Sequence, residues 1–296
     1  MSFSSFLRCP VCGAPLTQEG GSLFCRGARH CYDVSAAGYV NLLPPGKMGN
    51  AHTGDDAGML AARTRFLDGG FYDGISDAAA ALCASFLPLG KSAVRFVDAG
   101  AGEGYHTCRI ARRLAEDGRS VDGCGVDASK KGAARGAKRA RMLPGGVNVC
   151  FAAGNIFALP VADASLDAFF SLFAPIPAAE AVRTLAPGGT LIVVAAAPHH
   201  LWEMRGLLYD EVRENAEPPR TPDGFALLKK TGYRARCLIP DQGTLDALFM
   251  MTPFYYRTSP EGRARLAQAG SLTVSVEADV YAYRKISDLP EKDETV

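Results

Sequence analysis

One stretch restricts the fold of this chain more than any other. The apolar run over 92–97 leads into Asp98-Ala99-Gly100-Ala101-Gly102-Glu103-Gly104, and 105–115 then carries the apolar spacing of a helix. A buried strand, a glycine-rich turn and a helix in that order form the opening unit of a parallel α/β sheet. Glycine at 100, 102 and 104 lets the backbone take positive φ and approach a ligand closely, and the helix start offers unpaired N–H groups. The pattern is D-x-G-x-G-x-G, not the G-x-G-x-x-G of dinucleotide-binding folds. A carboxylate ahead of the first glycine repels a pyrophosphate and attracts an ammonium, which points to S-adenosylmethionine. Asp127 ends the next strand candidate, 121–126, about 20 residues beyond the turn, where a carboxylate accepts both ribose hydroxyls. A ligand-free strand-to-helix connection is the competing explanation, and the two acids at their places weigh against it.

The nine cysteines divide into two sets. Cys83, Cys108, Cys124, Cys150 and Cys237 are scattered through apolar stretches, where a thiol packs as a small hydrophobe. Cys9, Cys12, Cys25 and Cys31 crowd the first segment. Cys9-Pro10-Val11-Cys12-Gly13 sets two thiolates on a tight turn, and the spacing C-x2-C-x12-C-x4-H adds Cys25 and His30 to make a closed tetrahedral zinc site. Cys31 adjoins His30, and only one of the two completes the tetrahedron. A redox pair is the alternative, but so short a segment has too little apolar surface to fold without a metal.

With 296 residues and 48% hydrophobic content, the chain can bury a large core and carry a small appended unit. A formal net charge of +1 does not by itself announce a nucleic-acid partner. No apolar run reaches the roughly 18 residues of a spanning helix and no signal-peptide layout opens the chain, so no membrane partner and a cytoplasmic location are expected.

Residues 1–45 read as a zinc ribbon with short strands at 22–25 and 38–42. Residues 46–75 read as a linker and cofactor-covering segment, 76–286 as the large domain, and 287–296 as a frayed acidic tail. The periodicity predicts helices over 59–67 and 73–86, then strands near 93–98, 121–126, 147–152, 167–173 and 189–197. Helices near 105–116, 130–142, 178–185 and 201–214 lie between or after them. A strand at 234–239, a helix at 244–251 and a strand at 272–283 close the pattern. The sum is an α/β, Rossmann-like domain with a mixed seven-stranded sheet.

At this level of detail the chain resembles the bacterial 23S ribosomal RNA guanine-N1 methyltransferases, which join an N-terminal zinc ribbon to an S-adenosylmethionine-dependent methyltransferase domain. The resemblance runs along nearly the whole chain. Its pieces are CPVCGAPL from Cys9, GYVNLLP from Gly38, the GD, M, AR and FL elements of GDDAGMLAARTRFLDGGFY, DAGAGEGY and GVDAS. FAP at Phe173, LAPGG, the HL and GLLY-EV elements of HHLWEMRGLLYDEV, and MTPF at Met251 complete it. GYVNLLP and MTPF have no generic explanation and narrow the assignment most. The resemblance implies zinc ligands at Cys9, Cys12, Cys25 and His30, favouring His30 over Cys31, and cofactor contacts at Tyr72, Gly102, Glu103 and His200. The general pattern of the fold adds Asp98, Gly100 and Asp127. Two departures stand out: one extra residue between Cys25 and His30, and Ser171-Leu172-Phe173 where the family carries a basic or polar residue and a tyrosine before AP.

The chemistry implied is methyl transfer to guanine N1, which carries a proton and lies in the Watson–Crick edge. It calls for a proton acceptor and an unpaired or everted base in an RNA loop. Asp55, Asp56 and Glu211 are the acceptor candidates, each also explicable as a solvated carboxylate. For RNA, the sequence offers Arg8, Arg26 and Arg29 on the ribbon and Lys130, Lys131, Arg135, Lys138, Arg139 and Arg141 on one helix. The expected partner is 23S ribosomal RNA, with a homodimer left open. A small-molecule methyltransferase and a non-catalytic zinc-ribbon RNA-binding protein are the alternatives. The basic ribbon and the family-specific segments oppose the first, and the intact Asp98, Gly100, Gly102 and Asp127 oppose the second.

Overall fold

Leu166–Leu172 is buried along its whole length, as expected of a strand covered on both faces. Its one carboxylate, Asp167, is satisfied by Lys91 Nζ at 2.7 Å and by the Arg95 backbone N–H at 2.8 Å. The computed structural model that shows this describes residues 2–44, 57–88, 91–116, 118–215 and 221–288. Its elements in chain order are β1 (Leu16–Glu19), β2 (Ser22–Cys25), β3 (Cys31–Asp33), β4 (Val40–Asn41), α1 (Ala57–Asp68) and α2 (Asp73–Ala84). The alternating part follows: β5 (Ala93–Ala99), α3 (Tyr105–Ala115), β6 (Ser120–Asp127), α4 (Lys130–Ala140), β7 (Val147–Ala153), β8 (Leu166–Leu172), α5 (Ala178–Thr184), β9 (Leu185–Ala196) and α6 (Trp202–Leu208). Then come β10 (Phe225–Ile239), α7 (Gln242–Met250), α8 (Pro260–Ala267) and β11 (Leu272–Lys285).

Among the described residues the strands form a three-stranded sheet, β1-β2-β3, and an eight-stranded sheet in the order β10-β11-β9-β8-β5-β6-β7-β4. The seven expected strands are β5 to β11. The eighth, β4, is the Val40–Asn41 pair that leaves the ribbon and adds in parallel to β7. β5 to β9 are mutually parallel, and β11 and β10 close the sheet antiparallel. The chain runs outward from β5 through β6 and β7 and then returns to lay β8 on the other side of β5. That reversal opens a crevice at the carboxyl ends of β5 and β8, where open α/β sheets bind ligands.

The ribbon strands β1 and β3 were not anticipated, and three elements of the large domain also differ from expectation. β10 starts at Phe225, well before 234, because an edge strand has one solvent side and tolerates Lys229, Lys230 and Arg234. Cross-strand pairs of Lys230 (3.0 Å) and Arg234 (2.5 Å) with Asp279 hold it to β11. α6 stops at Leu208 rather than continuing to 214, since the Arg205 guanidinium reaches the carbonyls of Pro198 and Arg213 and folds the chain back. α8 was not anticipated, although Ser259-Pro260 is a helix-start signal and the Ser259 hydroxyl accepts the Gly262 N–H at 3.2 Å.

The two faces of the sheet carry two apolar clusters. One includes Phe66, Ile75, Phe96, Phe151 and Phe170. The other joins Phe6, Leu7, Leu23, Val40 and Leu42 to Val97, Cys124, Cys150 and Phe169, so the base of the ribbon shares a core with the large sheet. Burying Leu7, Leu23 and Leu42, each at 1% exposure, contributes roughly 1.5–3 kcal/mol apiece. Ser4 Oγ donates to Asp122 Oδ1 at 2.7 Å and fastens the same segment to β6. The tail begins with Ser287 and Asp288 in a 3-10 turn, and 289–296 lie outside the described residues. No helix among the described residues is long and apolar enough to cross a membrane.

Candidate functional site

The turn after β5 is shaped by close packing. Gly100, Gly102 and Gly104 have φ of +86°, +55° and +80°. A Cβ on Gly104 would lie 2.5 Å from Phe151 and 2.6 Å from the Gly136 Cα, so the turn can approach β7 and α4 only with glycine there. A Cβ on Gly100 would lie 2.6 Å from the Ala174 Cβ, which brings the loops after β5 and β8 together at the crevice. The Asp127 carboxylate then fixes the turn from β6: Oδ2 accepts the Gly102 N–H at 2.8 Å, and Oδ1 accepts the Ser129 N–H at 2.8 Å at the start of α4.

Asp98 is 2% exposed. Its Oδ2 accepts the Thr107 hydroxyl at 2.5 Å, while the buried Oδ1 has no protein partner. Burial pushes its carboxyl up to about 7 against the Thr107 hydrogen bond, with a further upward push from the Asp127 charge. An orphaned buried carboxylate oxygen at the head of a glycine turn fits a cationic ligand group. Glu103 is also buried, with Oε2 taking Arg139 Nη2 at 2.7 Å and the Thr64 hydroxyl at 3.1 Å, and Oε1 left unpartnered. Burial raises its carboxyl while the Arg139 charge and hydrogen bonds oppose the rise.

The loops after β8 and β9 add an aromatic group. Phe173, 42% exposed, lies 6.1 Å between ring centroids from each of Tyr72, His106 and His200, and is nearly parallel to the His200 ring at 29°. Phe173 and Leu201 hold φ of +52° and +56°, strained for residues with a Cβ, and strain of this kind gathers at functional sites. The His200 tautomer follows from its partners. The Glu277 backbone N–H donates to Nδ1 at 3.1 Å, so the ring proton sits on Nε2 and donates to the Tyr72 oxygen at 2.9 Å. Burial holds His200 down to about 4, so the ring stays neutral, and the Tyr72 hydroxyl hydrogen is left for another acceptor. His106, hydrogen-bonded to Ser76 at 2.7 Å, is pushed down to about 3 by burial and by the charges of Arg63 and Arg139.

At the ribbon tip, the ligand atoms of Cys9, Cys12, Cys25 and His30 all lie within 4.8 Å of one another. Closer pairs are Cys12–Cys25 Sγ at 3.3 Å and His30 Nδ1 with Cys9 Sγ at 3.4 Å and Cys12 Sγ at 3.7 Å. Ligands about 2.3 Å from a tetrahedral zinc stand about 3.7 Å apart, so three thiols and an imidazole fit that ion in chemistry and in span. Cys31 is exposed, outside this set, with its sulfur 4.0 Å from Asp33 Oδ1.

The structure therefore gathers Tyr72, Asp98, Gly100, Gly102, Glu103, Asp127 and His200 around the carboxyl ends of β5, β6 and β9. Glu211 does not join them: it falls beyond α6 rather than on it, exposed and paired with Arg213 at 3.1 Å. Asp55 and Asp56 lie outside the described residues. The cationic face expected on α4 is partly turned inward. Arg135 donates to the Leu60 carbonyl and to Thr64, Arg139 bridges Glu103 and Asp68, and Arg141 donates to the carbonyls of Ala36 and Ala37. Lys130, Lys131 and Lys138 remain exposed. Thr107, His106 and the Arg139 partnership with Glu103 were missed by sequence reasoning. A threonine facing the core in the first turns of α3, nine residues after Asp98, was the available signal.

Comparison with known proteins matches both parts of the chain. Residues 7–47 match the family described as the RlmA N-terminal zinc ribbon, and residues 90–233 match a methyltransferase domain. A putative 23S rRNA (guanine-N(1)-)-methyltransferase of Micromonospora griseorubida is 34% identical, covering 93% of this chain and 95% of that protein. A relative from Bacillus subtilis with the same description, YxjB, is 30% identical over 95% of this chain and 97% of its own length. The 23S rRNA (guanine(748)-N(1))-methyltransferase of Streptomyces fradiae is 34% identical over 88% of this chain and 89% of its own. Zinc ribbon, glycine turn and near full-length similarity agree, and the chain belongs to the family of 23S rRNA (guanine-N1)-methyltransferases.

Proposed function

We propose that this protein transfers a methyl group from S-adenosylmethionine to N1 of a guanine in a loop of 23S ribosomal RNA. The observation that carries the reading is the 34% identity to a relative of that description over 93% of the chain, ribbon and turn included. The cofactor supplies a methyl group already activated by its sulfonium, so the protein's part is alignment and charge placement. In this reading Asp98 Oδ1 meets the methionine ammonium, and Asp127, beyond the two backbone N–H groups it already accepts, accepts the ribose hydroxyls. Gly100, Gly102 and Glu103 shape the wall between them. Tyr72, fixed by His200, donates its hydroxyl hydrogen into the site.

The exposed Phe173 ring is the stacking surface for an everted guanine, a role suited to any planar base. His106 and His200 stay neutral over the working pH range and act as hydrogen-bonding groups that do not store the N1 proton. Asp55 and Asp56, on the segment entering α1, are the proposed acceptors of that proton. Cys9, Cys12, Cys25 and His30 hold one structural zinc, and the ribbon they organise grips RNA phosphates through Arg8, Arg26 and Arg29. Methyl-labelled cofactor supplied with 23S ribosomal RNA lacking the modification tests the reading: label recovered as 1-methylguanosine is expected. Label absent from RNA, or recovered on a different base position, would contradict it.

A further inference from the structure

The MTPF segment has no role in the reading above, and it runs directly into Tyr255-Tyr256-Arg257. Pro253–Tyr256 is a single 3-10 turn between α7 and α8, and side chains on both flanks fix it. The Thr252 hydroxyl donates to the Phe249 carbonyl and the Thr258 hydroxyl to the Phe254 carbonyl, each at 2.8 Å. Arg263 donates to the carbonyls of Tyr255 and Thr258, and its guanidinium lies 4.8 Å from the centre of the Tyr255 ring and 5.6 Å from that of Phe249. Phe254 and Tyr255 are thereby spent on packing. Tyr256 is not: it is 67% exposed, meeting Tyr255 edge-on at 5.4 Å between ring centroids.

The turn bridges two elements that wall the crevice. On one side the Tyr256 hydroxyl donates to Met59 Sδ at 2.7 Å, and Met59 stands one helical turn before Arg63 on α1. Arg63 in turn reaches the Met251 carbonyl at 3.4 Å and lies 3.5 Å from where a Cβ on Gly102 would stand, so this face of α1 covers the glycine turn. On the other side Phe254 packs against Tyr209 and the Arg205 guanidinium of α6, the helix that starts directly after His200 and Leu201. Tyr256 is therefore displayed at the rim between α1 and α6. Arg257 beside it is exposed, and its guanidinium has no partner among the described residues.

A lone exposed tyrosine is ordinary. A rigid turn that buries one tyrosine under an arginine and presents the next beside an exposed guanidinium, at the mouth of the crevice, has the parts that hold a single-stranded nucleotide. The ring offers a face for a base and the cation meets a phosphate. Everting a guanine onto Phe173 also leaves its neighbours in the strand unstacked, and a ring at the rim replaces a lost stacking partner. We propose that Tyr256 stacks on a nucleotide adjoining the target guanine and that Arg257 takes a phosphate there, a second RNA contact apart from the ribbon. The inference rests on the ribosomal RNA methyltransferase reading.

Binding of unmodified 23S ribosomal RNA by the full zinc-bound chain tests it, with cofactor affinity measured alongside. Tyr256→Ala should weaken RNA binding by about 5- to 100-fold, the range of one base–aromatic stack, with cofactor affinity unchanged. Tyr256→Phe, which keeps the ring and loses the bond to Met59, should stay within about threefold of the unaltered protein, whereas a merely structural tie to α1 would make it behave like Tyr256→Ala. Arg257→Ala should lower the log–log salt slope by about 0.7–0.9. Tyr256→Trp should bind RNA and show indole quenching beyond any change from Trp202 in the unaltered protein, a readout that decides the matter if Tyr256→Ala does not fold. RNA affinity undiminished in Tyr256→Ala, with or without a change in oligomeric state, would overturn the proposal and leave the methyltransferase reading standing, as would equal losses in Tyr256→Ala and Tyr256→Phe or an unquenched indole. Failure of the unaltered protein to bind this RNA would overturn both.

Discussion

The ribbon tip and the glycine turn are both short loops that collect polar groups, yet they are held in opposite ways. The turn is shaped before any ligand arrives: Gly104 is wedged against Phe151 and Gly136, Asp127 ties it to β6 and α4, and α1 is pinned above it. The tip has no comparable packing. Its strands are three or four residues long, Cys12 and 26–29 are exposed, and the ligand atoms of three thiols and an imidazole lie within 4.8 Å of one another. Only the base of the ribbon, through Leu7, Leu23 and Leu42, belongs to the main core. One region is preorganised to bind and the other is organised by what it binds, so loss of ligand should leave the first folded and disorder the second.

The largest effect should follow removal of the metal. A structural zinc contributes on the order of 10 kcal/mol or more to the fold it closes. Cys12→Ser or Cys25→Ser should therefore release the zinc and strip amide-exchange protection from 16–33, while β5 stays protected. Elemental analysis with hydrogen exchange reads both. Retained zinc, or loss of β5 protection together with the ribbon, would break the contrast.

Asp127→Ala comes next, with cofactor affinity expected to weaken by about 1.5–3 kcal/mol as a charged acceptor is lost. The Gly102 and Ser129 N–H groups lose their acceptor as well, so the melting midpoint should also fall, by the equivalent of about 1–3 kcal/mol, and affinity is read at a temperature where the variant is folded. Calorimetry returning an unchanged affinity would remove Asp127 from the site.

Asp98 sharpens the comparison through pH. Its folded value, raised to about 7, lies above the roughly 3.9 of an unfolded aspartate, so between those values the folded protein holds a proton that the unfolded chain has lost. Stability of the ligand-free protein should accordingly fall as pH rises from about 4 to 7 and then level off. An ammonium prefers the ionised carboxylate, so cofactor affinity should move the other way, rising about tenfold between pH 5.5 and 7 with release of a proton. Asp98→Asn should abolish that rise. A pH-independent affinity in the unaltered protein would place the ammonium elsewhere.

The smallest expected effect separates two adjacent residues. Cys31→Ser, at an exposed site outside the cluster, should keep its zinc and change stability by less than about 0.5 kcal/mol. His30→Ala should lose the metal. The reverse outcome would make Cys31 the fourth ligand.

How much of this was legible in the sequence depended on how local the cause was. Asp98, the three glycines and Asp127 could be found because strand ends and turns impose fixed spacings along the chain. The cysteine pair and the Cys25–His30 interval carried the metal set in the same way. Thr64 and Arg139 could not be found, because their contacts with Glu103 arise when α1 and α4 meet over the turn, a contact no spacing encodes. The same cause defeated the cationic reading of α4: Arg135 and Arg141 look like a solvated face until the carbonyls they satisfy are placed beside them. β4 falls within the strand expected at 38–42, but its parallel pairing with β7 was not foreseen, because that pairing is a long-range event.

The central claim is that the two regions divide their ligands, the ribbon holding RNA and the turn holding the cofactor. Its most direct test is the salt dependence of 23S RNA binding by the triple variant Arg8→Ala, Arg26→Ala, Arg29→Ala with zinc bound, alongside its cofactor affinity. The account predicts weaker RNA binding, a log–log salt slope reduced by about 0.7–0.9 for each arginine that meets a phosphate, and unchanged cofactor affinity. RNA affinity and slope both equal to those of the unaltered protein would contradict it, and would move the RNA surface to Lys130, Lys131 and Lys138 on α4.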